Sequence, residues 1–186
     1  MDVLDAIRAR RSVKAFTSEP VDPGDLDRLL ELAVLAPNHR MTEPWRFIVL
    51  GPEARRAYGR VKGEERAARV DDPEVGRQVL KRTLRDMEAL PAMVAFVQVL
   101  DPDPEVREED FASVYMAMQN VLVAAPALGL GTHVKTGAVL DSPRAREVTG
   151  VAENERLVAL VHIGVPERQP DARPRTPARE LTRELT

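Results

Sequence analysis

The sequence predicts one domain in which helices and strands are interleaved, and three observations predict it. Its 186 residues suffice for one hydrophobic core and are too few for two ordinary domains. Short β-rich apolar runs bounded by Pro or Gly, "RFIVL" and "MVAFVQVL" among them, read as buried strands. Apolar residues recur at three-and-four spacing from Phe111 to Leu128, which reads as a long central helix.

In chain order, Val3, Leu4 and Ile7 share a helical face that should end at the basic cluster opening with Arg8, after which "SVKAF" reads as extended chain. Leu26, Leu29, Leu30, Ala33 and Val34 recur at helical spacing, and Pro37 stops that helix. Arg46 to Leu50 is the first strand, Pro52 to Val61 a basic helix, and Pro73 to Ala89 a second charged, helical stretch. Met93 to Leu100 is the next strand. Phe111, Val114, Tyr115, Met118, Val121, Leu122, Ala125 and Leu128 make the central helix too apolar for a one-sided surface helix, and it stops at Gly129 to Gly131. Thr132 to Leu140 returns to extended structure, Pro143 opens a short helix to Val148, and Leu157 to Pro166 is a last core strand. Sheet order is not contained in this pattern.

Composition narrows the chemistry. The chain is 44% apolar and 31% charged, as in soluble globular proteins, and has no run of about 18 uninterrupted apolar residues. No membrane partner is expected. Asp2 and Asp5 stand where a secretory signal would be basic, and no apolar core with a small-residue cleavage site follows, so the expected place is the cytoplasm. With no cysteine, thiolate catalysis and cysteine-ligated metal sites are excluded, and redox chemistry needs a bound cofactor. A net charge of -3 argues against nucleic acid as a partner, because phosphate neutralisation over a long footprint needs a broad basic face.

Basic residues are concentrated all the same. "RARRSVKAF" holds Arg8, Arg10, Arg11 and Lys14 around Ser12. Two guanidiniums and a hydroxyl placed where a helix gives way to extended chain could converge on one phosphate, since the guanidinium fork donates bidentate hydrogen bonds and keeps its charge. Ser12 and Lys14 share the parity of one strand face and Val13 the other. The same cluster also reads as solvated charge at a helix C-terminus. "APNHRMTEPWRF" is a loop bracketed by Pro37 and Pro44 that carries Asn38, His39, Arg40 and Glu43, followed by Trp45, which reads as core. In "GLGTHVKTGAV" glycines around Thr132, Lys135 and Thr136 permit close backbone approach to a flat ligand; a helix end explains Gly129 and Gly131 equally well, but not Gly137. Arg173 and Arg175 sit two apart in "ARPRTPARE", before a last helix.

The order of these pieces along essentially the whole chain, "RRSVKAF", "AP…EPWRF", a long helix followed by "GLG…KTGAV", a strand ending "IGVP" and a late "RPR", resembles the FMN-dependent nitroreductase family, and "APNH" looks like its small, single-domain branch. The resemblance implies an α+β, three-layer fold, with a central mixed or antiparallel sheet flanked by helices and FMN at a homodimer interface. It implies one domain over residues 1–186, with the tail 166–186 packed on the partner subunit. By match of motif, Arg10 and Ser12 would hold the FMN phosphate with Arg11 alongside, Lys14 would reach the pyrimidine edge of the flavin, and Arg173 and Arg175 would complete the phosphate site. Val134, Lys135, Thr136 and Gly137 would run beside the ring, and His39 would come from the other chain. NADH or NADPH would be the electron donor and a small conjugated molecule, a nitroaromatic or a quinone, the acceptor, in ping-pong order. No catalytic side chain and no metal is implied, because the flavin carries the chemistry. Met41 and Glu43 stand where larger relatives carry an Asn and a Gln, so no contact is assigned to them. A flavin-binding sensor or store without turnover would need the same phosphate site, and a helical interaction module would bind no flavin at all.

Overall fold

The computed structural model describes residues 1–185; Thr186, the end of the expected tail, lies outside the described residues. Its frame is a four-stranded sheet, β1 (Trp45–Val49), β2 (Ala92–Val99), β3 (Gly131–Lys135) and β4 (Glu155–Gly164), in the order β1-β2-β4-β3 with every pairing antiparallel. Of the expected mixed or antiparallel arrangement, the antiparallel form is the one present.

Both faces of the sheet are covered, and β2 and β4 are accordingly apolar almost throughout. One face carries Val94, Phe96, Ala159, Val161 and Ile163, packed with Leu26 and Leu29 of α2 (Pro23–Ala33) and with Val114, Ala117, Met118 and Val121 of α5 (Pro104–Ala124). The other carries Met93, Ala95, Val97 and Leu160, packed with Tyr58 and Val61 of α3 (Pro52–Ala67), Met87 of α4 (Pro73–Glu88) and Ala145 of α6 (Pro143–Val148). Where the register steps from Phe96↔Ala159 to Val97↔Leu157, Val158 is an extra residue, a bulge that turns Val158 and Ala159 to the same side. The layers are therefore helices, sheet, helices.

Local chemistry sets the ends of these elements. Asp22, Asp72 and Asp103 cap α2, α4 and α5 by accepting from backbone N–H groups, each with proline in the first turn. Residues 104–128 include a stretch apolar enough and long enough to cross a membrane, but this is the helix that fills the core between α2 and the sheet.

Three expectations are corrected. Thr132 to Leu140 is not one extended segment, because β3 ends at Lys135 and Ala138–Asp141 form a 3-10 turn behind the bend at Gly137. The central helix starts at Pro104 rather than Phe111, since its first turns are charged and carry no apolar period, and its last turn, Ala125–Leu128, is 3-10. The basic helix runs on from Val61 to Ala67 through lysine, arginine and glutamate. In α1 (Val3–Ala9) only Ala6 is buried, so the face formed by Val3, Leu4 and Ile7 is left open.

Candidate functional site

The N-terminal basic cluster is placed by β3. Helix α1 ends at Arg10, and the chain then lies along the outer edge of β3, where Ser12 bridges Thr132 and the Val13 N–H donates to the Thr132 carbonyl at 2.9 Å. Val13 is buried at this seam while Ser12 and Lys14 are exposed, the alternation expected of extended chain. The approach needs Gly131: a β-carbon there would lie 2.6 Å from a Val13 γ-carbon. Beyond Phe16, the Thr17 N–H donates to Val165 and the Glu167 N–H to Ala15, so the segment is held by the chain leaving β4 as well.

Within the cluster the cations differ. Arg8 is exposed and paired with Asp5 at 3.5 Å. Arg11 folds back, donating from Nη1 to the carbonyls of Arg8 (2.6 Å) and Arg10 (2.9 Å), so it satisfies the open end of α1, while its Nε is buried without a partner. Arg10 is half-buried and has no ion pair among the described residues. Lys14 lines a cavity of about 590 Å³ behind β3, with Lys62 and Arg66 of α3, Thr83 and Asp86 of α4, His133 and Lys135 of β3, His162 of β4, and Glu167.

Burial and crowded positive charge govern this cavity. His162 is pushed down to about 3 by burial and then by Lys135, Lys62 and His133, and its Nε2 is buried without a hydrogen-bond partner. Burial, Lys135, Lys14 and Lys62 lower His133 to about 4. Its ring stands edge-on to that of His162, and its Nε2 lies 3.4 Å from Lys135 Nζ, so the neutral ring can accept from the ammonium. Lys62 falls to about 8 through burial, then Lys135 and Arg66, against a small opposing pull from Asp86. Lys135 is lowered too, by burial, Lys14 and Arg66.

The loop after α2 is tied to α5. Asn38 Oδ1 accepts from the Glu43 N–H at 2.8 Å, Thr42 Oγ1 donates to the buried Asp110 at 2.5 Å, and Arg40 Nε donates to Glu109 at 3.1 Å. His39 Nδ1 lies 3.0 Å from Glu109, with a side chain 69% exposed. These bonds hold Met41 and Glu43 in the left-handed region, at φ 51 and 45, unusual for residues with a β-carbon. Trp45, read as core, is buried.

Of the expected site residues, the structure brings together Arg10, Arg11, Ser12 and Lys14 with β3. Val134 faces the α5 side, Lys135 the cavity, and Thr136 and Gly137, the latter at φ 120, follow as exposed chain. His39, Arg173 and Arg175 make no hydrogen bond or ion pair to that group among the described residues. Arg175 donates only to the Pro174 carbonyl, although Gln169 Nε2, earlier in the tail, reaches the Ala9 carbonyl at 2.9 Å. Lys62, Arg66, His133 and His162 escaped the sequence reading. His162 alone left a signal there, as one polar ring inside an apolar strand.

The donor set fits a phosphate-bearing flavin on two counts. Arg10, Ser12 and Lys14 present an unpaired guanidinium, a hydroxyl and an ammonium on one stretch of chain, and the cavity next to Lys14 holds positive charge and an orphaned ring nitrogen with few carboxylates to offset them.

The family model described as "Nitroreductase family" matches residues 7–165. A Bacillus subtilis protein, YfhC, which carries the provisional name of an NAD(P)H nitroreductase, is 32% identical over 181 residues, covering 97% of this chain and 93% of its own. The crystal structure of a nitroreductase-like family protein from Bacillus cereus superposes with a TM-score of 0.86 at 28% identity, over 100% of this chain and 96% of that one. A Bacteroides fragilis nitroreductase with bound FMN shares the fold, with a TM-score of 0.74 at 22% identity over the full length of both chains.

Proposed function

The chain belongs to the nitroreductase family, and from that premise we propose that it is an FMN-dependent oxidoreductase which takes electrons from NADH or NADPH and passes them to nitroaromatics, quinones or related conjugated acceptors. The observation that carries the reading is the seam between Ser12 and Thr132. It joins the cationic stretch Arg10–Lys14 to the segment Thr132–Gly137, two halves of one binding surface about 120 residues apart in the chain.

In this reading Arg10 and Ser12 bind the phosphate and Lys14 neutralises charge at the pyrimidine edge. Arg11 fixes the turn they project from, since its Nη1 donates to the carbonyls of Arg8 and Arg10. Val134 to Gly137 flank the ring, where backbone N–H groups can donate. Bound FMN would supply the two-electron chemistry that links the nicotinamide to the second substrate, and these residues would hold it with one face open to both. Donor and acceptor then use one site in turn, which is a ping-pong order.

The assembly proposed is a cytoplasmic homodimer of single-domain subunits. The open faces of Val3, Leu4 and Ile7 on α1, and of Leu32 and Leu35 beside α2, support it, as does a tail whose residues 171–185 are exposed throughout. His39 would be given to the partner's flavin, and Arg173 and Arg175 would reach phosphate within that assembly.

Spectroscopy tests the function directly. Protein loaded with FMN should lose its yellow absorbance on anaerobic addition of NADH or NADPH and regain it on addition of a quinone. A bound flavin that stays yellow with either nucleotide would make the protein a flavin store, and a preparation that takes up no FMN would overturn the cofactor assignment.

A further inference from the structure

We propose that Lys62 of α3 is a second cation facing the flavin, and that its protonation sets how readily the bound flavin accepts electrons. The inference rests on the function proposed above and concerns a residue from the charged stretch to which neither the motifs nor the family likeness assigns a role.

Three observations carry it. The cavity that begins at Lys14 continues to Lys62, Lys135 and Arg66, so four cations share one lining of which Asp86 and Glu167 are the carboxylates. None of Lys14, Lys62 and Lys135 forms an ion pair among the described residues, and Lys62 Nζ rests 5.8 Å over the Tyr58 ring instead. His133 and His162 are neutral at neutral pH and add no charge of either sign. Positive charge that is half-buried and unpaired is unfavourable by itself, and it becomes favourable when negative charge arrives beside it.

The groups facing Lys62 are Arg66 and the Tyr58 ring on its own helix, Thr83 and Asp86 on α4, His133 and Lys135 on β3, His162 on β4, and Lys14 and Glu167 on the two segments that close the cavity. Burial, then Lys135 and Arg66, hold Lys62 down at about 8, close enough to neutrality for its charge to change under ordinary conditions. Reduction places negative charge at the pyrimidine edge of a flavin. If that charge stabilises the Lys62 ammonium tenfold, linkage requires the ammonium to favour reduction tenfold in return. The sign follows: the effect is complete below about pH 8 and fades as pH rises past the pKa that Lys62 has beside the reduced ring.

The test is a redox titration of FMN-loaded wild type, Lys62→Met and Lys62→Arg from pH 6 to 10, with FMN affinity measured in parallel on the apoproteins by fluorescence quenching. Lys62→Met keeps the stem and removes the charge; at pH 7 its reduced-to-oxidised ratio at a given potential should fall about tenfold, which for a two-electron couple is about 30 mV. The gap should close by pH 10. Lys62→Arg should match wild type at pH 7 and lie above it at pH 10, because its charge does not titrate. Affinity for oxidised FMN should change by less than about threefold in either variant, a smaller effect than the roughly tenfold one expected on reduction. If Lys62→Met does not fold, the comparison of wild type with Lys62→Arg decides, since the wild-type potential alone should drop more steeply between pH 8 and 10. Equal potentials at pH 7, a gap unchanged from pH 6 to 10, or parallel wild-type and Lys62→Arg curves would overturn the role of Lys62 while leaving the proposed function standing. Failure to bind FMN would overturn both.

Discussion

At the scale of single residues, position within the basic cluster should matter more than charge. Arg10 is half-buried and without an ion pair, whereas Arg8 is exposed and paired with Asp5. Arg10→Ala should therefore weaken FMN binding by roughly 1.5–3 kcal/mol, about one to two decades, and Arg8→Ala by much less, as read by titrating FMN into apoprotein. Equal losses would mean that the cluster acts only as diffuse charge. His162 gives a second prediction. Its folded-state pKa, about 3, lies far below the ordinary value of 6.5, so below pH 6.5 the unfolded chain binds more protons than the folded one. Stability must then rise with pH from about 3 to 6.5, with a contribution from this ring on the order of 4 kcal/mol across the window. Urea midpoints measured between pH 7 and 4 should fall for wild type and fall less for His162→Gln; identical slopes would refute it. The alternation of Ser12, Val13 and Lys14 was legible in the sequence because period two is a local property. Lys62 and His133 were not, because what makes them unusual is their convergence from α3 and β3, segments about 70 residues apart.

At the scale of elements, the seam between the extended segment at Ser12 and Val13 and β3 is the joint on which the proposed site depends. A methyl group on Gly131 would meet Val13 at 2.6 Å, and Val13, buried and β-branched, has little room to move. Gly131→Ala should cost about 1–3 kcal/mol, or roughly 2–10 °C in melting temperature for a chain of this size, and should weaken FMN binding as well. Calorimetry with and without FMN separates the two effects, and an unchanged melting temperature would show that the seam yields. Strands β2 and β4 and helices α2 and α5 were legible because burial on both faces, or a stripe at helical spacing, writes itself into composition. The end of β3 at Lys135 was not, because the bend depends on the φ of Gly137, and a glycine accepts either sign equally well.

At the scale of the molecule, the open faces of α1 and α2 and the exposed tail predict a dimer, and light scattering on FMN-loaded protein should give twice the mass of the 20.7 kDa chain. Removing residues 171–186 should shift that mass toward the monomer at micromolar concentration and lower FMN occupancy together, because Arg173, Arg175 and the tail would act on the partner subunit. A truncated dimer with full FMN would separate the tail from both roles. The seam at Ser12 and Thr132 also has a consequence for how the chain is made. Residues 10–17 leave the ribosome early, yet their partners, Thr132 and then Val165, are among the last third to appear. At about 5–20 residues per second, roughly 6–24 s separate the synthesis of Val13 from that of its hydrogen-bond acceptor. Throughout that interval the cationic stretch has no strand to lie on, so cofactor capture belongs to the end of synthesis, and a nascent chain halted before β3 should emerge colourless however much FMN surrounds it.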